Sequence, residues 1–175
     1  ATMTPVERLA TKADGKQREL VENQRGITYY KLFGPYLAGA KKIVVEDAYV
    51  RKPYQLRNLA EFLEMLLRCK NSDEDVAVHL VTGHNEPGFV EAQLNGLNEL
   101  ASTFSQLGVN LTYEFRDTLH DRSITSDTGW EILPGRGLDI FQKFVDGDWL
   151  NPLLRHQQLR RVKECKITYR RIDEK

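Results

Sequence analysis

Three short runs rich in β-branched residues alternate with two stretches of helical periodicity, and this alternation restricts the fold more than any other feature. Lys42-Ile43-Val44-Val45-Glu46-Asp47 reads as a buried strand. Tyr54 to Cys69 follows as a helix, with Leu56, Leu59, Leu63, Leu66 and Leu67 at helical spacing. Val76 to Thr82 reads as a second buried strand, which makes His79 a core histidine. Phe89 to Leu107 is a second helix with Leu97, Leu100, Ala101, Phe104 and Leu107 inward, stopped by Gly108. Asn110 to Phe115 is the third strand. Strand, helix, strand, helix, strand with short links predicts an α/β fold: a mostly parallel central sheet with helices on both faces.

The rest of the chain has a different style. Ala1 to Arg25 is polar and poorly periodic, a linker or frayed segment before a domain spanning 26–175. Thr28 to Leu37 predicts a short helix with Tyr29, Leu32 and Phe33 on one face, kinked at Gly34-Pro35. After the third strand, Arg122 to Ser126, Trp130 to Leu133 and Lys163 to Arg171 predict added antiparallel strands.

Composition excludes several classes. Twenty-five basic residues balance 25 acidic ones, which argues against a general nucleic-acid coat. No apolar stretch reaches the roughly 18–20 residues that span a bilayer. Cys69, Cys165 and four histidines show no metal-ligand spacing, and two cysteines make no disulfide framework, so neither a metal nor another cofactor is expected and a reducing, cytoplasmic setting is. The start at Ala1 rather than Met suggests a piece of a longer protein. Charge is unevenly placed: 61–99 holds eight acids and two bases, and 155–171 seven bases and one acid. Such runs usually form solvated faces; the basic one could also meet phosphates or anionic lipid.

Ligands of open α/β sheets gather at the carboxyl ends of the parallel strands. The loops there carry Glu46, Asp47 and Arg51, then Thr82, Gly83 and His84, then Asp117, His120 and Arg122. His120-Asp121-Arg122 followed by Asp127 forms H-x-R-x-x-x-x-D. An imidazole and a guanidinium two apart on an extended segment point the same way and can meet one phosphate. The imidazole can act as nucleophile or general acid, and Asp127 can orient the histidine or hold the arginine. Arg136, between two glycines, is a further anion contact or a solvent-facing turn residue. Arg51 either binds phosphate or pairs with Asp47. Trp130 and Trp149 read as packing residues.

The motif resembles the H-x-K-x-x-x-x-D of the phospholipase D superfamily, with Arg122 in the lysine position. From Gly26 onward the chain is similar to the phospholipase D-like domain at the C-terminus of MIT-domain proteins of the ESCRT system. Glu46-Asp47-x-Tyr49-x-Arg51, Gln55-Leu56-x-Asn58, His120-Asp121-Arg122, Gly129-Trp130 and Gly135-Arg136-Gly137-Leu138-Asp139-x-Phe141 carry the likeness. The resemblance implies a homodimer that associates with membranes and recognises phosphoinositides. It also implies an upstream MIT region or, as in related prokaryotic proteins, an AAA-type ATPase. Two departures favour binding over turnover: arginine replaces a compact lysine ammonium, and Gly-Arg-Gly stands where the enzymes carry Gly-Ser-x-Asn.

Three functions remain open on sequence. The first is a cytoplasmic, membrane-peripheral module binding an anionic phospholipid through His120, Arg122, Arg136 and Arg51. The second is a dimeric phosphodiesterase with His120 as nucleophile, assisted by Arg122 and Asp127. The third is an interaction domain with a vestigial pocket.

Overall fold

The computed structural model describes residues 2–143 and 150–172. Trp149 lies outside them. In chain order the elements are α1 Pro5–Ala10, β1 Arg18–Leu20, α2 Tyr29–Leu37, β2 Lys42–Glu46, α3 Pro53–Cys69, β3 Val76–Thr82, α4 Val90–Ser105, β4 Val109–Phe115, β5 Ser123–Ser126, β6 Trp130–Pro134, α5 Pro152–Arg155 and β7 Cys165–Arg171. Seven strands form one sheet in the order β1-β7-β6-β5-β2-β3-β4. β2, β3 and β4 pair in parallel, and β5, β6, β7 and β1 extend the sheet antiparallel from β2. The α/β class, the parallel core and the antiparallel C-terminal strands match the expectation from sequence.

The principal helices share one face rather than the two expected from sequence, because the crossovers β2 to β3 and β3 to β4 step in the same direction and put α3 and α4 on the same side. Along β2, Ile43 and Val45 are buried, while Lys42 and Val44 are exposed. β3 buries Val76, Val78 and Leu80 on the same side, and β4 buries Val109 and Leu111. Tyr29, Leu32 and Phe33 of α2, Leu59, Phe62, Leu63 and Leu66 of α3, and Leu97 and Phe104 of α4 complete the same core. Each sheet side chain faces opposite to its neighbour, so His79 shares the other face with Val44 and Thr112. His79 is therefore not a core histidine: it is 37% exposed and hydrogen-bonds Thr112 and Glu114 on the uncovered side. Leu107, expected inward, lies beyond the end of α4 and is exposed.

Two local expectations change. Gly34-Pro35 does not break α2, which is capped by the Thr28 hydroxyl accepting the Lys31 N–H and runs through to Leu37. Pro35 falls in its final turns, where only one backbone bond is lost. The segment before residue 26 is not a linker. Thr4 and Glu7 form a reciprocal capping box for α1, whose Leu9 is buried, and β1 pairs with β7 and buries Leu20.

Candidate anion site at the strand ends

Topology gathers the loops after β2, β3 and β4, the run into β5 and the loop after β6 at one end of the sheet. The framework is buried and polar. Gln93 of α4, 1% exposed, donates to the carbonyls of Val50 and Gly83 at 3.0 and 2.9 Å and accepts the Asn85 N–H at 2.8 Å. One amide thus ties the loop after β2 to the loop after β3. Gln55 accepts the N–H groups of both Arg51 and Lys52, and the Thr82 hydroxyl accepts that of Val50. Sequence reasoning passed over Gln93. Its signal was a polar residue one turn before Leu97 on the apolar stripe of α4.

Asp47 is the second fixed point. It is 3% exposed and accepts the N–H groups of Tyr49 and Leu138, both at 3.0 Å. Burial pushes its carboxyl above the usual range, against the two N–H bonds and the nearby Arg122, which draw it down. Asp47 also fills the space beside Gly137, where φ is +63° and a Cβ would collide with the carboxylate. The Tyr29 hydroxyl donates to the Leu138 carbonyl from below.

On this base stand two guanidinium groups around one aromatic ring. Arg122 lies 5.0 Å and Arg51 4.8 Å from the Tyr49 ring centroid. Arg122 donates to the Gly135 carbonyl at 3.2 Å, and the Arg51 Nε donates to the Ala48 carbonyl at 2.7 Å. Neither forms an ion pair with a carboxylate among the described residues. Arg51 does not pair with Asp47. Sharing one ring keeps the two cations within about a Debye length, roughly 8–10 Å, so each feels the other's charge. The electron-rich ring face partly offsets their repulsion, and their remaining N–H donors suit phosphate oxygens. Tyr49 is itself 47% exposed.

The other predicted residues separate. His120 is exposed on the same rim, two residues before Arg122. Asp127 is not with them. It follows β5, whose antiparallel pairing sets Ser123 beside Glu46 and Ser126 beside Ile43. It therefore lies at the opposite end of the sheet, some five residues and roughly 16 Å of strand from Arg122. There it accepts the Lys41 N–H at 3.0 Å. It orients neither His120 nor Arg122. Arg136 turns away from Tyr49: its Nε donates to the Glu164 carbonyl at 2.7 Å, and its charge helps lower the Glu22 carboxyl, after the Glu164 N–H and Gln142.

The C-terminal basic run is largely occupied. Arg160 is buried and paired with Glu61 and stacked on Phe141, Lys163 pairs with Asp139, Arg170 with Glu131, and Arg171 covers the half-buried Trp130. A cavity of about 550 Å³ lies elsewhere, between α3 and the α5 region, and mixes Glu61 and Glu64 with Arg68 and Arg155. It contains none of the strand-end residues. No cluster of histidine, cysteine and carboxylate among the described residues could hold a metal.

Residues 26–171 match the family model described as the phospholipase D-like domain at the C-terminus of MIT. Among characterised proteins, mouse MIT domain-containing protein 1 is 37% identical over 138 residues, which cover 75% of this chain and 54% of that protein. The chain thus spans about half the length of the curated relative it matches.

Proposed function

Because this chain belongs to the family of phospholipase D-like domains found at the C-terminus of MIT proteins, we propose that it binds phosphate-bearing ligands, anionic phospholipid headgroups and phosphoinositides in particular, without turning them over. One observation carries the reading: Arg51 and Arg122 share the Tyr49 ring at the strand ends and lack a carboxylate ion-pair partner among the described residues. Such a pair retains unused charge-assisted donors where α/β sheets take their ligands. His120 adds a third donor on the same rim.

The absence of turnover follows from chemistry. A nucleophilic imidazole works when a second group holds its tautomer and orientation. Asp127, the carboxylate in the motif position, is at the far end of β5. Arg122 supplies a forked, permanently charged group rather than a compact ammonium.

The homodimer, peripheral association with a cytoplasmic membrane face and linkage to an upstream MIT or AAA-type ATPase region belong to the same proposal. A single H-x-R motif per chain, in a superfamily of paired motifs, supports the dimer. The test is vesicle co-sedimentation with and without phosphoinositide, on the unsubstituted chain and on Arg122→Ala. Loss of binding in the variant is expected. Equal binding by both would move the site elsewhere, and hydrolysis of a phosphodiester that disappears in His120→Ala would replace this reading by an enzymatic one.

A further inference from the structure

Beyond the Tyr49 cluster the same rim holds a second preorganised group. His84 follows β3 and Asp117 follows β4. One Asp117 oxygen accepts the His84 backbone N–H at 2.8 Å, and the other meets the ring Nδ1 at 2.9 Å. The imidazole is stacked on Phe115, with ring centroids 4.1 Å apart and an interplanar angle of 21°. It is thus held from behind and from one face, leaving Nε2 as the ring nitrogen free to meet a ligand. The side chain is 43% exposed.

Arg51 joins this group to the first. Its guanidinium lies against Gly83, where a Cβ would stand 2.7 Å from Nη2, and Gly83 leads directly into His84. Arg51 also helps lower the Asp117 carboxyl, after the two hydrogen bonds from His84. The charged groups facing His84 are therefore Asp117 from the end of β4 and Arg51 from the loop after β2.

We propose that His84 and Arg51 form a second anion subsite beside Arg51, Tyr49 and Arg122, so that the rim takes a ligand with two phosphate groups on one skeleton. The inference rests on the phosphate-binding reading above. Nδ1 donates to Asp117, which fixes the ring, and Nε2 meets a phosphate oxygen across a hydrogen bond. The shared ring-and-guanidinium cluster binds the first phosphate, and Arg51 reaches both.

Calorimetry with the whole chain tests this, using free inositol phosphates bearing one phosphate or two adjacent ones. Phosphatidylcholine vesicles doped with lipids of the same headgroups form a parallel arm. His84→Ala should weaken two-phosphate binding roughly tenfold and leave one-phosphate binding within about twofold, as expected for loss of one charged hydrogen bond. Asp117→Ala should show the same selective loss, and the double variant should lose no more than either single one, because Asp117 acts through His84. Selectivity seen only with vesicles identifies a lipid ligand, and selectivity seen only with free inositol phosphates a soluble one; either supports the subsite. Equal loss for both ligands, or no loss, overturns it. If Arg122→Ala abolishes all binding while His84→Ala leaves the ratio intact, only the second subsite falls. If the unsubstituted chain binds neither ligand, both readings fall together.

Discussion

Asp47 and Leu138 are joined across 91 positions of sequence, the Asp47 Oδ2 accepting the Leu138 N–H at 3.0 Å. That bond fixes the loop after β6 against the loop after β2, and it sets where Gly135 offers its carbonyl to Arg122. The proposed anion site therefore depends on a buried carboxylate that need not touch the ligand.

Asp47→Asn should cost about 1–3 kcal/mol of stability, because an amide NH2 would face one of the two N–H donors now satisfied. Its pH dependence has a definite sign. Burial holds the native carboxyl above its unfolded value, so the native state binds the proton more tightly. The contribution is complete below the unfolded value and is lost as pH rises through the higher native one. Urea unfolding across the acid range should show this fall in the unsubstituted chain and lack it in Asp47→Asn.

Gly137→Ala combines a φ of +63° with a collision against Asp47. A loss of at least about 2 kcal/mol is expected, from overpacking and left-handed backbone together. Thermal unfolding measures it, and a neutral outcome would mean that the 135–138 loop moves freely off Asp47.

Arg51→Ala and Arg122→Ala should each weaken phosphate-headgroup binding by roughly ten- to a hundredfold, the usual loss for a charge-assisted bond. Tyr49→Phe should change little, since the ring and not the hydroxyl meets both cations, whereas Tyr49→Ala should weaken binding. Titrations against salt should show affinity falling as the exposed charges are screened.

Arg160→Ala should destabilise the fold without altering headgroup binding. Arg160 is 3% exposed and paired with Glu61, which is itself about one-fifth exposed. Removing one member of such a buried pair costs about 3–5 kcal/mol. A midpoint shift in guanidinium chloride, with unchanged vesicle affinity near 20 °C, is the expected pattern.

The parallel core was legible because the β-branched runs and the leucine spacing of Leu59, Leu63 and Leu66 carry their own periodicity. His79 was misplaced for a specific reason. Its neighbours Val78 and Leu80 face the helices, while His79 faces the side they leave uncovered, and an apolar run cannot tell which face of a sheet is covered. The topological rule nominated Arg51 and Arg122, and the H-x-R spacing nominated Arg122 again, but their meeting on Tyr49 is a tertiary fact. Asp127 misled because nearness in a motif is not nearness on a strand. The basic C-terminal run looked available since its partners, such as Glu61 for Arg160, lie far away in sequence. β1 spans three residues, too few for any alternation to declare itself.

That short strand has a practical consequence. β1 shields the outer backbone of β7 by pairing Arg18 with Ile167 and Leu20 with Cys165. A version trimmed to the family boundary at Gly26 would leave the seven-residue β7 as a bare rim. Unpaired amides on such a rim invite a strand from a neighbouring molecule, so shortened preparations should cluster with rising concentration, adding to their self-association a share that comes from the cut and that the longer chain lacks.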